Sequence, residues 1–330
     1  MKCISLIFII FFSVGANFLI AQPKWVNVDD QFQPLPPNFH VYKTTDSLDG
    51  KPFIAYYADV KLKDKNLEFT TDTTYKRRLT PKQFFEKNNN PLLVVNTTFF
   101  SFATNQNLNV VITNSKLVSY NVHSIAGRGK DTFTYRHPMG SAIGISKKRK
   151  ADVAWLFTDS LQKSPYATQQ IMPVLKDSIS NIDLKRMKSI IHPNPELYAP
   201  PYFSFNKWKM KTAVGGGPVL VQNGTIKITS NEELKFTGKA IDDKHPRTCM
   251  GYTADGRLII MVIQGRFAGI AEGATLTQQA QLLLALGCEE ALNLDGGGSS
   301  CMLINGKETI TPSDKEGERA VPAVFIIKHK

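Results

Sequence analysis

The chain has 330 residues, is 42% hydrophobic and carries 40 Lys and Arg against 28 Asp and Glu, a formal charge of +12. That is ample for one large domain or two small ones, and the basic balance suits an anionic partner such as a phosphate-bearing or otherwise anionic glycan. No aromatic-basic motif of a nucleic-acid module is present, so nucleic acid is set aside, and the absence of Cys-x-x-Cys argues against a structural zinc site.

Residues 1–21 read as a secretory signal: Lys2 gives the positive start, 4–20 is nearly all apolar, and Ala21 is a small residue suited to cleavage. The run falls a little short of the ~20 residues of a membrane span, and no second apolar span follows. Export to the periplasm or the outside is the expectation, with no stable membrane span. Three cysteines then remain, Cys249, Cys288 and Cys301, an odd number that excludes a fully paired framework. Cys288 and Cys301 flank one turn and could bridge, but small buried thiols are the favoured reading.

Residues 22–90 form an N-terminal segment of strands and lead-in without identifiable chemistry. Pro34-Leu35-Pro36-Pro37 is extended, and 53–60 and 67–69 read as strands. Thr80 caps a short helix that starts at Pro81 and runs through Phe85, broken by Asn88-Asn89-Asn90-Pro91. Residues 91–330 form the main domain. It opens on an apolar strand, 92–95, that ends at Asn96. A strand at 141–145 leads into Lys147-Lys148-Arg149-Lys150, read as a solvated basic turn.

Residues 151–211 look like an insertion rich in proline and aromatics, with one helix around 165–178. Tyr198, Tyr202, Phe203 and Trp208 serve there either as sugar-stacking platforms or as packing, and packing is favoured. Short strands then recur at 219–221, 226–228, 258–263, 291–294, 302–304 and 324–327. Asn223-Gly224, Asp255-Gly256 and Asn305-Gly306 punctuate them as tight turns. Thr275 and Gln278 form a capping box for a helix with Leu276, Ala280, Leu283 and Leu284 on one face and Gly287 as its stop. The pattern predicts a mixed, sheet-dominated α+β single domain with one or two packed helices.

The chemistry concentrates in Asp295-Gly296-Gly297-Gly298-Ser299-Ser300, at the end of a strand. Consecutive glycines let several N–H groups face one point, where they can cradle an anion beside the carboxylate. Gly215-Gly216-Gly217-Pro218 is a second such turn, serving either close approach to a ligand or a sharp crossover beneath Asp295. Three apolar strands end on Asn96, Gln264 and Asp295, and if they are neighbours those side chains converge on one sheet edge. Arg247, after Pro246, is the leading anion clamp because a guanidinium matches two oxygens of a phosphodiester; Arg266, after Gly265, is the second. His245 has a minor share, and Glu272 is the candidate second carboxylate. Neither turn carries the Gly-Lys-Ser/Thr of a nucleotide phosphate loop, and Gly-x-Ser-x-Gly is absent around Ser299.

Asn96-Thr97-Thr98-Phe99-Phe100, Val214-Gly215-Gly216-Gly217-Pro218, His245-Pro246-Arg247-Thr248 and the Asn293–Ser300 stretch occur in the order and rough spacing of the phosphodiester glycosidase family. The chain resembles that family over roughly 91–328. The resemblance implies an exported hydrolase that cuts a sugar C1–O–P linkage. In it, Asp295 is base, nucleophile or ligand to a divalent cation, which is the one candidate cofactor. Arg247 and the amides of Gly296, Gly297 and Gly298 hold the phosphate, and Asn96 and Glu272 complete the catalytic set. Gly216, Gly217, Gln264, Gly265, Arg266, Ser299 and Ser300 join the three glycines in lining the substrate. Such a bond already has a good leaving group, which suits a site with one obvious carboxylate. The family often has Asp-Gly-Arg where this chain has Gln264-Gly265-Arg266, and Asn-Gly-Gly where it has Asn96-Thr97-Thr98. The Gln264 departure favours the alternative of a non-catalytic glycan-binding protein; a hydrolase or lyase of another anionic polysaccharide is a third reading.

Overall fold

The computed structural model describes residues 22–330 apart from 172–173, 175, 177–204 and 237. The secretory segment and Tyr198, Tyr202 and Phe203 therefore lie outside the described residues. Three antiparallel sheets dominate the rest. The largest has eight strands in the order Val26–Asn27, Phe39–Thr44, Ala55–Lys61, Arg257–Ile263, Arg247–Thr253, Cys288–Asn293, Val219–Gln222 and Thr225–Ile226. A seven-stranded sheet centres on Ala151–Phe157, Gly140–Ile145 and Thr212–Gly215. A five-stranded sheet runs Lys307–Glu308, Met302–Ile304, Leu93–Asn96, Ala323–His329 and Leu67–Thr73.

Side-chain alternation sorts these strands into layers. Along Arg257–Ile263, Leu258, Ile260 and Val262 enter a central core, while Ile259, Met261 and Ile263 enter a second core on the other face. The central core also takes Val41, Val153, Trp155, Leu93, Val95 and Phe325, so all three sheets meet in it. The second is closed by the helix Leu276–Ala285, through Leu276, Ala280, Leu282 and Leu283. Thr275 and Gln278 form the expected capping box, and Gly287, at φ +83°, lets the chain leave that helix. The helix Pro81–Lys87, with its own capping box at Thr80 and Gln83, packs Phe84 and Phe85 against Val94, Leu303 and Ile326 on the outer face of the five-stranded sheet.

The sheet-dominated α+β reading is thus observed, with packed helices on two outer faces. Residues 22–90 share sheets with the rest: Ala55–Lys61 pairs with Arg257–Ile263, and Leu67–Thr73 with Ala323–His329. Other expectations need correction. Within 151–211, Ala151–Phe157 and Tyr166–Thr168 are sheet strands, so the helix expected from 165 does not start there. Alternation buries Ala154 and Leu156 beside Trp208, whose indole N–H donates to Asp152 at 2.5 Å, so Trp208 is packing, the reading already favoured. The basic turn is only partly solvated, because the Arg149 guanidinium donates to the carbonyls of Leu62, Asp64 and Leu67. Cys249, Cys288 and Cys301 are free and buried, as favoured.

Candidate functional site

Three neighbouring strands of the large sheet bring their ends to one edge. Arg247 pairs with Ile263 and Cys249 with Asn293, so Arg247 lies between Gln264 on one side and Leu294-Asp295 on the other. Asn96 belongs to a different sheet, which corrects the expectation of one shared edge, yet it reaches the same place. Its side-chain N–H donates to the Asp295 carbonyl at 2.6 Å, and its Oδ1 accepts from the Thr248 hydroxyl at 2.8 Å and the Cys301 N–H at 3.1 Å. Asn96 is fully buried and all of these partners are scaffold, so it positions the loop rather than meeting a ligand.

The glycines are explained by backbone crowding. A Cβ on Gly265 would meet the Pro246 nitrogen at 2.7 Å and the Gly273 Cα at 2.8 Å, and one on Gly296 would meet the Pro246 carbonyl at 2.8 Å. His245-Pro246 therefore runs in contact with the Gly265 and Gly273 backbone on one side and the Asp295 turn on the other. Gly297 donates to the Pro246 carbonyl at 2.8 Å, and the Gly296 N–H bonds the Asp295 carboxylate. The cradle of three free amides thus narrows to Gly298, whose N–H has no protein partner among the described residues. Gly216 and Gly217 make the crossover: Gly217 donates to the Asn293 carbonyl at 2.8 Å, and Asn293 donates back to the Gly217 carbonyl at 2.8 Å.

The cationic part of the site is larger than the sequence suggested. Arg247 is 2% exposed; its Nε donates to the Ala274 carbonyl at 2.9 Å and its Nη2 to that of Asp243 at 3.0 Å, with the guanidinium 5.5 Å from the Phe236 ring centre. Burial holds its pKa down to about 10, so it stays charged at neutral pH. It has no carboxylate partner among the described residues. Arg266, exposed and at φ +68°, lies over Gly297: a Cβ there would be 3.0 Å from its Nη2. Arg319, which the sequence reading missed, crowds Gly298. It pairs with Asp314 at 2.5 Å and donates to the Ser299 hydroxyl at 3.4 Å. Nothing in the local pattern around residue 319 marked it; only the return of the 309–322 loop brings it here. Gln264 holds that loop, its side-chain oxygen accepting from the Thr311 N–H at 2.9 Å.

Desolvation pushes the Asp295 carboxyl up to about 7, against the Ser299 hydrogen bond, the Arg319 charge and the Gly296 N–H, which favour ionisation. His245 is held below its usual pKa by burial and by the charges of Arg247 and Arg266, so it is neutral. Ser300 Oγ and His245 Nδ1 are buried without partners among the described residues. Glu272 sits on the loop before the helix Leu276–Ala285, its N–H bonded to the Pro52 carbonyl, and no hydrogen bond or ion pair joins it to Asp295. Among the described residues no group of three or more His, Cys, Asp or Glu converges on a point. The charge beside Asp295 is the Arg319 guanidinium, and its other partners are the Ser299 hydroxyl and the Gly296 N–H, surroundings that do not suit a divalent cation.

The sequence pattern of the phosphodiester glycosidase family matches residues 156–328, more than half of the chain, a span that carries Arg247, Arg266, Asp295 and Arg319. The chain belongs to the phosphodiester glycosidase family. Over 103 residues it is 32% identical to the N-acetylglucosamine-1-phosphodiester alpha-N-acetylglucosaminidase of Bos taurus, a match covering 29% of this chain and 19% of that protein. Over 86 residues it is 40% identical to an uncharacterized SPbeta prophage-derived protein of Bacillus subtilis (strain 168), covering 26% of this chain and 13% of that protein. The aligned parts are thus a fifth or less of these relatives. Among solved structures, the catalytic domain of the zebrafish N-acetylglucosamine-1-phosphodiester alpha-N-acetylglucosaminidase, auto-inhibited by its pro-peptide, shares the fold. Its TM-score is 0.55 at 17% identity, covering 94% of this chain and 89% of that one. A hypothetical protein from Synechocystis has a TM-score of 0.56 at 15% identity, covering 89% and 64%.

Proposed function

We propose that this protein is an exported hydrolase of sugar-1-phosphodiesters, with Asp295 as its general base. The observation that carries the reading is one carboxyl with a pKa near 7 beside the Arg319 guanidinium, on a glycine turn that Arg266 also covers. A general base works best when its pKa lies near the working pH, and a phosphodiester needs planar cations around it. Ionised Asp295 takes a proton from a water that attacks C1. The C1–O bond breaks, its electron pair leaves with the phosphate monoester, and the sugar departs as a hemiacetal. Arg247, Arg266 and Arg319 hold the phosphate oxygens as charge gathers on them, with the Gly298 N–H beside them. Because the leaving group is a weak base, no second carboxylate has to protonate it. Export rests on the apolar leader 1–21.

The test is release of free sugar from N-acetylglucosamine-1-phosphodiesters, a UDP-sugar among them, by the chain from Gln22 and by Asp295→Ala. Release by the former alone supports the reading; equal release by both overturns the role of Asp295. The rival is a non-catalytic glycan-binding protein, favoured by Gln264, where the family often has a carboxylate and where the side-chain oxygen is bonded to Thr311. Saturable glycan binding without sugar release would establish that rival.

A further inference from the structure

Beside the Asp295 site lies a cavity of about 350 Å³ that the mechanism above leaves unused. It falls in the size range of small-molecule sites, roughly 300–1,000 Å³. Its walls are mostly apolar, with Phe99, Leu108, Val122 and Met139 among them. The polar groups in the wall are nearly all committed. Asn109 accepts from the Phe99 N–H and donates to the Gly216 carbonyl, and Asn121 accepts from the Val110 N–H and donates to the Gly140 carbonyl. Glu233 accepts from the Ser141 N–H and hydroxyl, the Trp155 indole, the Val219 N–H and the Thr229 hydroxyl, at 2.5 to 3.3 Å.

Lys235 is the exception. It lines the cavity with its Nζ 5.1 Å from the Phe99 ring centre, and that Nζ makes no hydrogen bond or ion pair among the described residues. Burial lowers its pKa, and only the charge of Glu233 opposes that. A partly buried ammonium against an aromatic ring and without an anionic partner is costly, and the neighbouring carboxylate is saturated by other donors. The cavity also shares walls with the catalytic centre. A Cβ on Gly217 would be 3.0 Å from Lys235 Cε, and Gly217 is bonded to Asn293, two residues before Asp295. Phe99 meets Phe236 at 6.2 Å between ring centres, and Phe236 lies under Arg247.

We infer that this cavity is the subsite for a sugar unit carrying an anionic group, a carboxylate or a phosphate, with Lys235 as its specificity-determining residue. The apolar walls take the C–H face of the ring, and the ammonium takes the acid. The inference rests on the reading above for the bond that is cut, but not for occupancy of the cavity.

The test is equilibrium titration of the chain from Gln22 with glucuronate against glucose, and with N-acetylglucosamine 6-phosphate against N-acetylglucosamine. At least one acidic sugar should bind about tenfold more tightly than its neutral counterpart, as one charge-assisted hydrogen bond allows. The two pairs tell carboxylate from phosphate. Lys235→Gln should abolish the preference, and Asp295→Asn should keep it. Equal affinities, no saturable binding, or a preference that survives Lys235→Gln would overturn the subsite. Should Lys235→Gln fail to fold, amine acetylation of the unaltered chain decides: saturating acidic sugar should protect Lys235, and unprotected Lys235 overturns the inference. Loss of sugar-1-phosphodiester hydrolysis with the acidic preference intact would sink the catalytic reading alone.

Discussion

The Asn96 side chain donates to the backbone carbonyl of Asp295 at 2.6 Å, tying the end of one sheet to the residue just beyond the end of another. The backbone of the proposed base is therefore held by a buried amide whose recorded partners are all scaffold. Asn96→Ala would strand the Thr248 hydroxyl, the Cys301 N–H and the Asp295 carbonyl. We predict a stability loss of about 2–4 kcal/mol, read by denaturant titration, from buried groups left unsatisfied. kcat should fall at least about tenfold while KM changes little, because orientation is lost and not binding. A normal kcat would show that the turn aims itself.

Asp295 as a base must be ionised to act. With its pKa raised to about 7 by desolvation, kcat/KM should climb with pH up to about 7 and level above it. A falling limb should follow near pH 10, where Arg247 begins to lose its charge. Activity that is highest at pH 5 and falls through 7 would mean that the protonated form is the active one, an acid in place of a base.

The same shift weighs on stability. From an ordinary value of 3.8 to about 7 in the fold, the native state holds the proton more tightly than the unfolded chain. Stability contributed by this group is complete below 3.8 and is lost as pH rises to about 7. Asp295→Asn should therefore melt higher than the unaltered chain at pH 8, by on the order of 2 kcal/mol, with the gap closing below pH 4. A gap independent of pH would assign the gain to packing.

Arg319 both faces the glycine turn and lowers the Asp295 pKa. Arg319→Ala should raise KM for a sugar-1-phosphodiester about tenfold, the scale of one charge-assisted contact. It should also move the acidic limb of the pH profile upward. A higher KM with an unmoved limb would separate anion binding from tuning of Asp295.

Gly273 and Gly256 both have positive φ, +98° and +84°. A Cβ on Gly273 would meet the His245 carbonyl carbon at 2.6 Å, whereas Gly256 has nothing within 4 Å. Gly256→Ala should cost about 1–2 kcal/mol from backbone strain alone. Gly273→Ala should cost a further 1–3 kcal/mol from overpacking, and activity with it, because His245-Pro246 must shift. Equal costs by chemical denaturation would mean that the clasp has slack.

What the residues revealed in advance followed local rules. The N-cap at Thr80, the capping box at Thr275, the turns at Asn223-Gly224 and Asn305-Gly306, and the strand ends at Gln264 and Asp295 are written in adjacent positions. Arg247–Thr253 was harder to see as a strand, because its sequence, RTCMGYT, mixes a charge and a glycine that make sense only between two partners. Arg319 and Lys235 were invisible because each owes its role to a loop that returns from elsewhere. The pattern left Gly216 open between ligand approach and a crossover and set Gly296 in an anion cradle, whereas Gly216, Gly265 and Gly296 mainly let backbones touch. Spacing alone does not separate those two uses.

The strand Ala323–His329 sits between Leu67–Thr73 and Leu93–Asn96, with Ala323 opposite Thr73 and Val324 opposite Asn96. Its two neighbours come from the first third of the chain and meet only through it. Pairing across most of the chain's length is the kind of long-range contact that slows folding. Asn96, opposite Val324, is the residue whose side chain holds the Asp295 carbonyl. The residue that closes the sheet is thus also the one that holds the glycine turn, so a change in the last strand should be felt at Asp295.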